Sequence, residues 1–287
     1  MEKTINEQLG YIREGKEKGS IEMTGLFKDW YNRTAQLRKD IPDGDGHYCL
    51  VCDGLLRKNG KSTADDMVLD KAWKEAEKRI IFLIKDQNQS GQIWADDTRN
   101  WYIDREDNRE IRSKFIRNIA NISWGLMKST PDIFLPAELV YKRKNDIKEN
   151  FAQVPIALIE CKKQGGGSSI SNNVLLRYLK DYQDLLYKEF DILTPEGLNG
   201  VTMFVCTNEH IYEFVQQYIL SRHPNTELTR IDSEKHNSIR LHIPSKTMIL
   251  CSYHPSAHMS YKEIYKGVLD HYQAFVKTNY YNQFFQL

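Results

Sequence analysis

The chain has 287 residues, 40% of them hydrophobic, and a formal net charge of +1. That is enough apolar material for a substantial core and too little charge bias to argue for or against a polyanionic partner. No stretch approaches a membrane span and the opening MEKTINEQLG lacks the apolar core of a signal peptide, so a cytoplasmic protein with no membrane partner is expected.

Residues 1 to about 40 are charged and helix-prone, with Leu26, Phe27, Trp30, Tyr31 and Leu37 spaced along one face. This predicts a helical extension over 1–45, packed on a domain spanning 46–287. After the break Ile41-Pro42-Asp43-Gly44-Asp45-Gly46 come Cys49 and Cys52. Their Cys-x-x-Cys spacing is half a metal site with no second pair to complete it, so they are weak metal candidates beside a plain turn. Five cysteines, an odd number, with three at the ends of apolar runs, fit reduced thiols better than disulfides.

The run Ile80-Ile81-Phe82-Leu83-Ile84 stops at Lys85-Asp86-Gln87-Asn88 and reads as a buried strand with a polar tip. Behind it, residues 92–102, including Trp94 and Trp101, are too irregular for a simple connection and look like a binding loop. Phe115, Ile119, Ile122 and Leu126 then recur at helical spacing. Pro131-Asp132 and the basic run Lys142-Arg143-Lys144 occupy a linking stretch, and such a run is most often a solvated face.

A second run, Ile156-Ala157-Leu158-Ile159, ends at Glu160-Cys161-Lys162-Lys163 and leads to Gly165-Gly166-Gly167-Ser168-Ser169. Glycines let a phosphate approach backbone amides and lysines add charge, although the spacing fits neither established phosphate-loop pattern. One amphipathic helix follows, with Val174, Leu175, Tyr178, Leu179, Tyr182 and Leu186 inward. A third run, Val201-Thr202-Met203-Phe204-Val205, ends at Cys206-Thr207-Asn208 and precedes a helix from about residue 209 to 220. A polar excursion through His223-Pro224 and Asp232 to His236 separates it from the fourth run, Met248-Ile249-Leu250, which ends at Cys251-Ser252-Tyr253-His254-Pro255-Ser256. Tyr261, Ile264, Tyr265, Val268, Leu269, Tyr272 and Val276 mark the closing helix. Strand–helix alternation of this kind predicts an α/β fold with three α/β/α layers and a central, mainly parallel four-stranded sheet. Ligands bind outside the carboxyl ends of such strands, so the four polar tips propose one site.

The first and last tips, Lys85-Asp86-Gln87-Asn88 and His254-Pro255-Ser256-Ala257-His258-Met259-Ser260, resemble the two signature motifs of the uracil-DNA glycosylase superfamily. The resemblance covers roughly residues 78–277, with residues 156–194 as its middle block. The second motif is close; the first diverges at Lys85, where the family usually has glycine, and near Asn88, where it has proline. The resemblance implies a DNA partner and a base rotated out of the duplex. Asp86 would stabilise the cationic sugar and direct water, while His254 would donate to the departing base. Pro255 and Ser256 would brace the DNA backbone, and Ala257, His258 and Met259 would enter the gap. Lys162, Lys163, Gly166 and Ser168 would meet phosphates, and Glu160, Asn88 and Trp94 would read the base.

Glu160 stands where uracil-excising members have asparagine. An ionised carboxylate only accepts hydrogen bonds, which suits the amino group of cytosine and not O4 of uracil. The expected substrate is therefore a modified cytosine, such as the hydroxymethyl or glucosylated forms of phage DNA, in antiviral defence; uracil excision in repair is the alternative. Some members hold an iron–sulfur cluster on four cysteines. Cys49 and Cys52 match its first pair and its third position falls near Cys161 or Gln164, but no cysteine falls near the fourth, by Tyr178, so no cofactor is required.

A rival pattern uses Pro131-Asp132 with Glu160-Cys161-Lys162, which resembles the signature of restriction-type nucleases. There Asp132 and Glu160 would hold Mg²⁺ and Lys162 would position water. A sheet that binds DNA or nucleotide without catalysis is a third reading.

Overall fold

A computed structural model describes residues 18–37, 51–56, 71–85, 96–97, 111, 113–164, 170–232 and 239–285. The elements, numbered in chain order, begin with α1 (Lys18–Leu37), β1 (Val51–Cys52), β2 (Gly54–Leu55), β3 (Lys78–Ile84) and β4 (Asp96–Asp97). Next come α2 (Lys114–Lys128), α3 (Ala137–Lys142), α4 (Lys144–Gln153), β5 (Ile156–Glu160), α5 (Asn172–Asp181) and α6 (Gln183–Leu193). The chain continues through β6 (Val201–Cys206), α7 (Glu209–Arg222), β7 (Thr229–Ile231), β8 (Ile239–His242), β9 (Thr247–Cys251), α8 (Tyr261–Val276) and α9 (Tyr280–Phe285).

The four expected strands form the centre of one sheet, in the order β5-β3-β6-β9, all parallel. Every residue of these four is buried, as near-continuous apolar runs require when helices cover both faces. The sheet is larger than expected, with seven strands instead of four: β2 adds antiparallel to β5, and β8 then β7 add antiparallel beyond β9. β2 is two residues long, β7 is Thr-Arg-Ile, and β8 alternates apolar with polar residues, so no apolar run marked them.

Side chains alternate across the sheet. Ile80, Phe82, Leu158, Val205 and Leu250 pack under α2, α3, α4, α8 and α9. Ile81, Leu83, Ile159, Phe204 and Ile249 pack under α1, α5, α6 and α7. The result is three layers. α1 belongs to the second helical layer, with Leu26, Phe27 and Trp30 fully buried and the Trp30 ring stacked on Tyr182 at 4.5 Å.

Two helical readings change. The single helix expected over 174–186 is two, broken at Tyr182, whose φ of −120° and ψ of 17° leave the helical region. The linking stretch holds α3 and α4, joined at Arg143. Serine and asparagine caps set several helix starts: Ser113 before α2, Ser171 before α5, Asn208 before α7, and Ser260 with Glu263 in a reciprocal capping box on α8. No helix among the described residues is long and apolar enough to cross a membrane.

Candidate functional site

In chain order the parallel strands lie second, first, third, fourth. The connection leaves β3 toward one side for β5 and crosses to the other side for β6, so the crevice between the β3 and β6 tips is the topological switch point. The tips are knitted together by backbone bonds. Cys161 N donates to Ile84 O at 2.9 Å, Lys162 N to Lys85 O at 2.9 Å, Thr207 N to Leu83 O at 3.0 Å, and Ser252 N to Cys206 O at 2.7 Å.

The β9 tip is a built loop. Asn118 Nδ2 on α2 donates to Pro255 O at 2.7 Å, and Lys114 Nζ donates to the carbonyls of Ala257 and Met259. Ala257 N donates to His254 O at 2.8 Å. Within this frame the His254 ring lies 5.9 Å from the Phe115 ring, and its Nδ1 accepts the Ser256 N–H at 3.2 Å. Burial, with the Lys85 charge adding to it, pushes the His254 pKa down to about 4. His254 is therefore neutral at pH 7. Because Nδ1 is the acceptor, the proton resides on Nε2. This gives the tip a neutral hydrogen-bond donor, fixed in tautomer by its own loop.

Beside it, Tyr253 is 42% exposed and the edge of its ring sits against α8, where a Cβ added at Gly267 would come within 2.7 Å of the ring. The absence of a side chain at Gly267 makes room for an aromatic surface adjoining His254.

β3, β6 and β9 are neighbouring parallel strands, so the β3 tip with Lys85 lies at the same sheet edge as the β9 tip. Asp86 is the next residue in the chain, and it lies outside the described residues, as do Asn88, Trp94, Gly166, Ser168 and Cys49. Cys52 ends β1, with its side chain outside them too. Glu160, at the end of β5, is fully buried and pairs in register with Ile84, so the two face the same helical layer, the one that carries Phe115.

Several expectations for this edge change. Lys163 is 1% exposed and forms a buried ion triad: its ammonium meets Asp53 Oδ1 at 2.5 Å and Glu189 Oε2 at 2.8 Å. An ammonium enclosed by two carboxylates does not meet a DNA phosphate, so Lys163 leaves that set. Lys162 is buried as well, with Nζ donating to Gln164 O at 2.9 Å and lying over the Tyr178 ring. Pro255 is buried and braces the loop from inside, while Met259 packs half-buried against the first-layer core; Ser256 and His258 are exposed. Among the described residues expected at the DNA, Ser256 and His258 are the two that are exposed.

The nuclease constellation is not assembled. Lys78, at the start of β3, donates to Ser129 O at 3.3 Å, three residues before Asp132, whereas Glu160 pairs with Ile84 at the opposite end of the same strand. Six residue steps along β3 separate these ends by about 20 Å. Asp132 and Glu160 therefore cannot share a metal ion. No group of three or more His, Cys, Asp or Glu among the described residues could hold one.

Cys161, Cys206 and Cys251 are free thiols in the interior. Burial pushes Cys251 up to about 11 and raises Cys161 and Cys206 as well, so none is a thiolate nucleophile at neutral pH. The Asp53–Lys163–Glu189 triad was missed from the sequence. Its one legible signal is Glu189, which falls on the apolar stripe of Leu185, Leu186, Phe190 and Leu193 on α6. No family model, no curated protein and no solved structure matches the chain.

Proposed function

We propose that this chain is a DNA glycosylase that hydrolyses the N-glycosidic bond of a flipped, modified pyrimidine, favouring a modified cytosine, and leaves an abasic site. The observation that carries the reading is His254. It is a neutral imidazole at the carboxyl edge of a parallel sheet, beside the switch point, with its single proton directed to Nε2 by the Ser256 amide.

As the glycosidic bond breaks, the bonding pair leaves with the base and the sugar becomes oxocarbenium-like. A neutral donor at Nε2 stabilises the negative charge growing on the base carbonyl without protonating it in the ground state. Asp86, next after Lys85, is assigned to the sugar side, where its carboxylate offsets the positive charge and takes a proton from the attacking water. The water oxygen bonds to C1′, and the base departs with a proton gained from solvent. Glu160 is assigned to the exocyclic amino group, as an acceptor that cytosine satisfies and uracil does not. In a bacterium this chemistry would serve defence against phages that modify their cytosines.

The reading is tested by incubating DNA that carries glucosylated hydroxymethylcytosine, hydroxymethylcytosine or uracil with wild type, H254A and D86N, and counting abasic sites. The expected order is modified cytosine over uracil, with both variants reduced at least 100-fold. Preference for uracil transfers the assignment to repair, and unchanged activity in both variants removes the mechanism.

A further inference from the structure

The basic run Lys142-Arg143-Lys144, a solvated face on sequence grounds, sits at the corner between α3 and α4, and the fold puts that corner at the same edge as His254. Two contacts fix its place. The Tyr141 ring stacks on Tyr261, the first residue of α8, with centroids 4.2 Å apart and planes at 19°, and Glu138 pairs with Lys262 at 3.1 Å. Tyr261 follows directly on the 254–260 loop. Tyr141 is 36% exposed, and the Lys144 ammonium lies 5.5 Å from its ring centroid. Arg143 is engaged by Asp146 at 3.1 Å, while Lys142 and Lys144 are exposed.

Stacked, half-open aromatic rings beside exposed ammonium groups are the two halves of a single-stranded nucleic-acid site: the rings receive base faces and the cations track phosphates. A duplex keeps its base faces covered; an unpaired strand presents them. We infer that Tyr141 and Tyr261, with Lys142 and Lys144, form a platform for an unpaired DNA strand running from the His254 loop across the α3–α4 corner. This rests on the reading of the His254 edge as a DNA site. It adds a substrate class, because an enzyme with such a platform engages single-stranded or locally opened DNA better than closed duplex.

Fluorescence anisotropy with a labelled 12-nucleotide single strand and the matching duplex tests it, using the full chain as wild type, Y141A, Y141F and K142A/K144A. Wild type is expected to bind the single strand more tightly than the duplex. Y141A should lose five-fold or more on the single strand, Y141F should restore it, and K142A/K144A should lower the slope of log affinity against log salt by roughly 1.4, at about 0.7 per phosphate. Unaltered melting of Y141A excludes misfolding as the cause. If Y141A binds the single strand as wild type does, or wild type binds no single strand, the platform is overturned. If base release occurs while Y141A binds normally, the platform fails and the glycosylase reading stands. If Y141A weakens binding but no base is released from any substrate, the platform stands and the glycosylase reading fails.

Discussion

The Ser256 amide donates to His254 Nδ1 at 3.2 Å, and this one bond sets the tautomer of the ring at the β9 tip. It also sets a pH behaviour. With its pKa near 4, the imidazole keeps the same charge from pH 8 down to about pH 5. Base release is therefore expected to show no limb near 6.5, the ordinary histidine value, and to fall only as the pH nears 4. A rate profile between pH 4 and 8 checks this; a limb at 6.5 would contradict the neutral His254 donor.

His242 carries a related stability effect. It is fully buried, Nε2 lies 2.9 Å from Thr226 Oγ1, and burial, with His223 stacked on it adding repulsion, pushes its pKa down to about 4. Between 6.5 and about 4 the unfolded chain binds the proton and the folded chain does not, so stability present above 6.5 is lost as the pH falls through that window. Each pH unit there is worth at most about 1.4 kcal/mol. Thermal melts at pH 7 and pH 5 should differ less in H242Q than in wild type.

Lys163 holds Asp53 and Glu189 in the interior, and burial together with the neighbouring Asp53 carboxylate raises the Glu189 pKa well above the ordinary range. Removing the cation in K163M leaves two enclosed acids and is expected to cost about 3–5 kcal/mol. E189Q acts in the other direction. A raised acid pKa gives stability that is full below about 4.3 and lost as the pH climbs through the folded value. E189Q should therefore melt closer to wild type at pH 5 than at pH 8, with the difference at pH 8 favouring the variant. Urea unfolding at both pH values measures it.

Gly267 receives the Tyr253 ring. In G267A the new methyl would lie within 2.7 Å of that ring and displace it, while alanine favours the helix by up to about 1 kcal/mol. Melting is expected to change by less than about 1 kcal/mol, and base release to fall roughly ten-fold. Gly125 serves as the contrast. A Cβ there meets the buried Tyr265 ring, with its carbons at 2.9 Å, and Tyr265 Oη donates to Leu135 O at 2.8 Å, so G125A should destabilise by about 1–3 kcal/mol.

The centre of the fold was legible because four buried strands must be apolar along their whole length, and each ended at a polar tip. The flanking strands β7 and β8 were not, because β7 is three residues with one apolar side chain and β8 alternates apolar with polar residues, as a loop can. At the site, His254 could be read from its motif, but its neutrality depends on Phe115, Lys85 and the Ser256 amide meeting it in space. Lys163 misled for the opposite reason: a lysine beside glycines looks like a phosphate ligand until Asp53, 110 residues earlier, and Glu189, on another layer, are found around it. The pairing of Asp132 with Glu160 failed because sequence order gives no information about which end of a strand a residue occupies.

Identifying the freed base is the most direct test of the His254 site as an excision centre. Wild-type protein is incubated with a DNA carrying glucosylated hydroxymethylcytosine and uracil at separate positions, and the small-molecule fraction is read by mass spectrometry. The intact modified base is expected in excess over uracil, undiminished by a metal chelator and lost in H254A. Uracil as the main product, or strand cleavage with no free base, would contradict it.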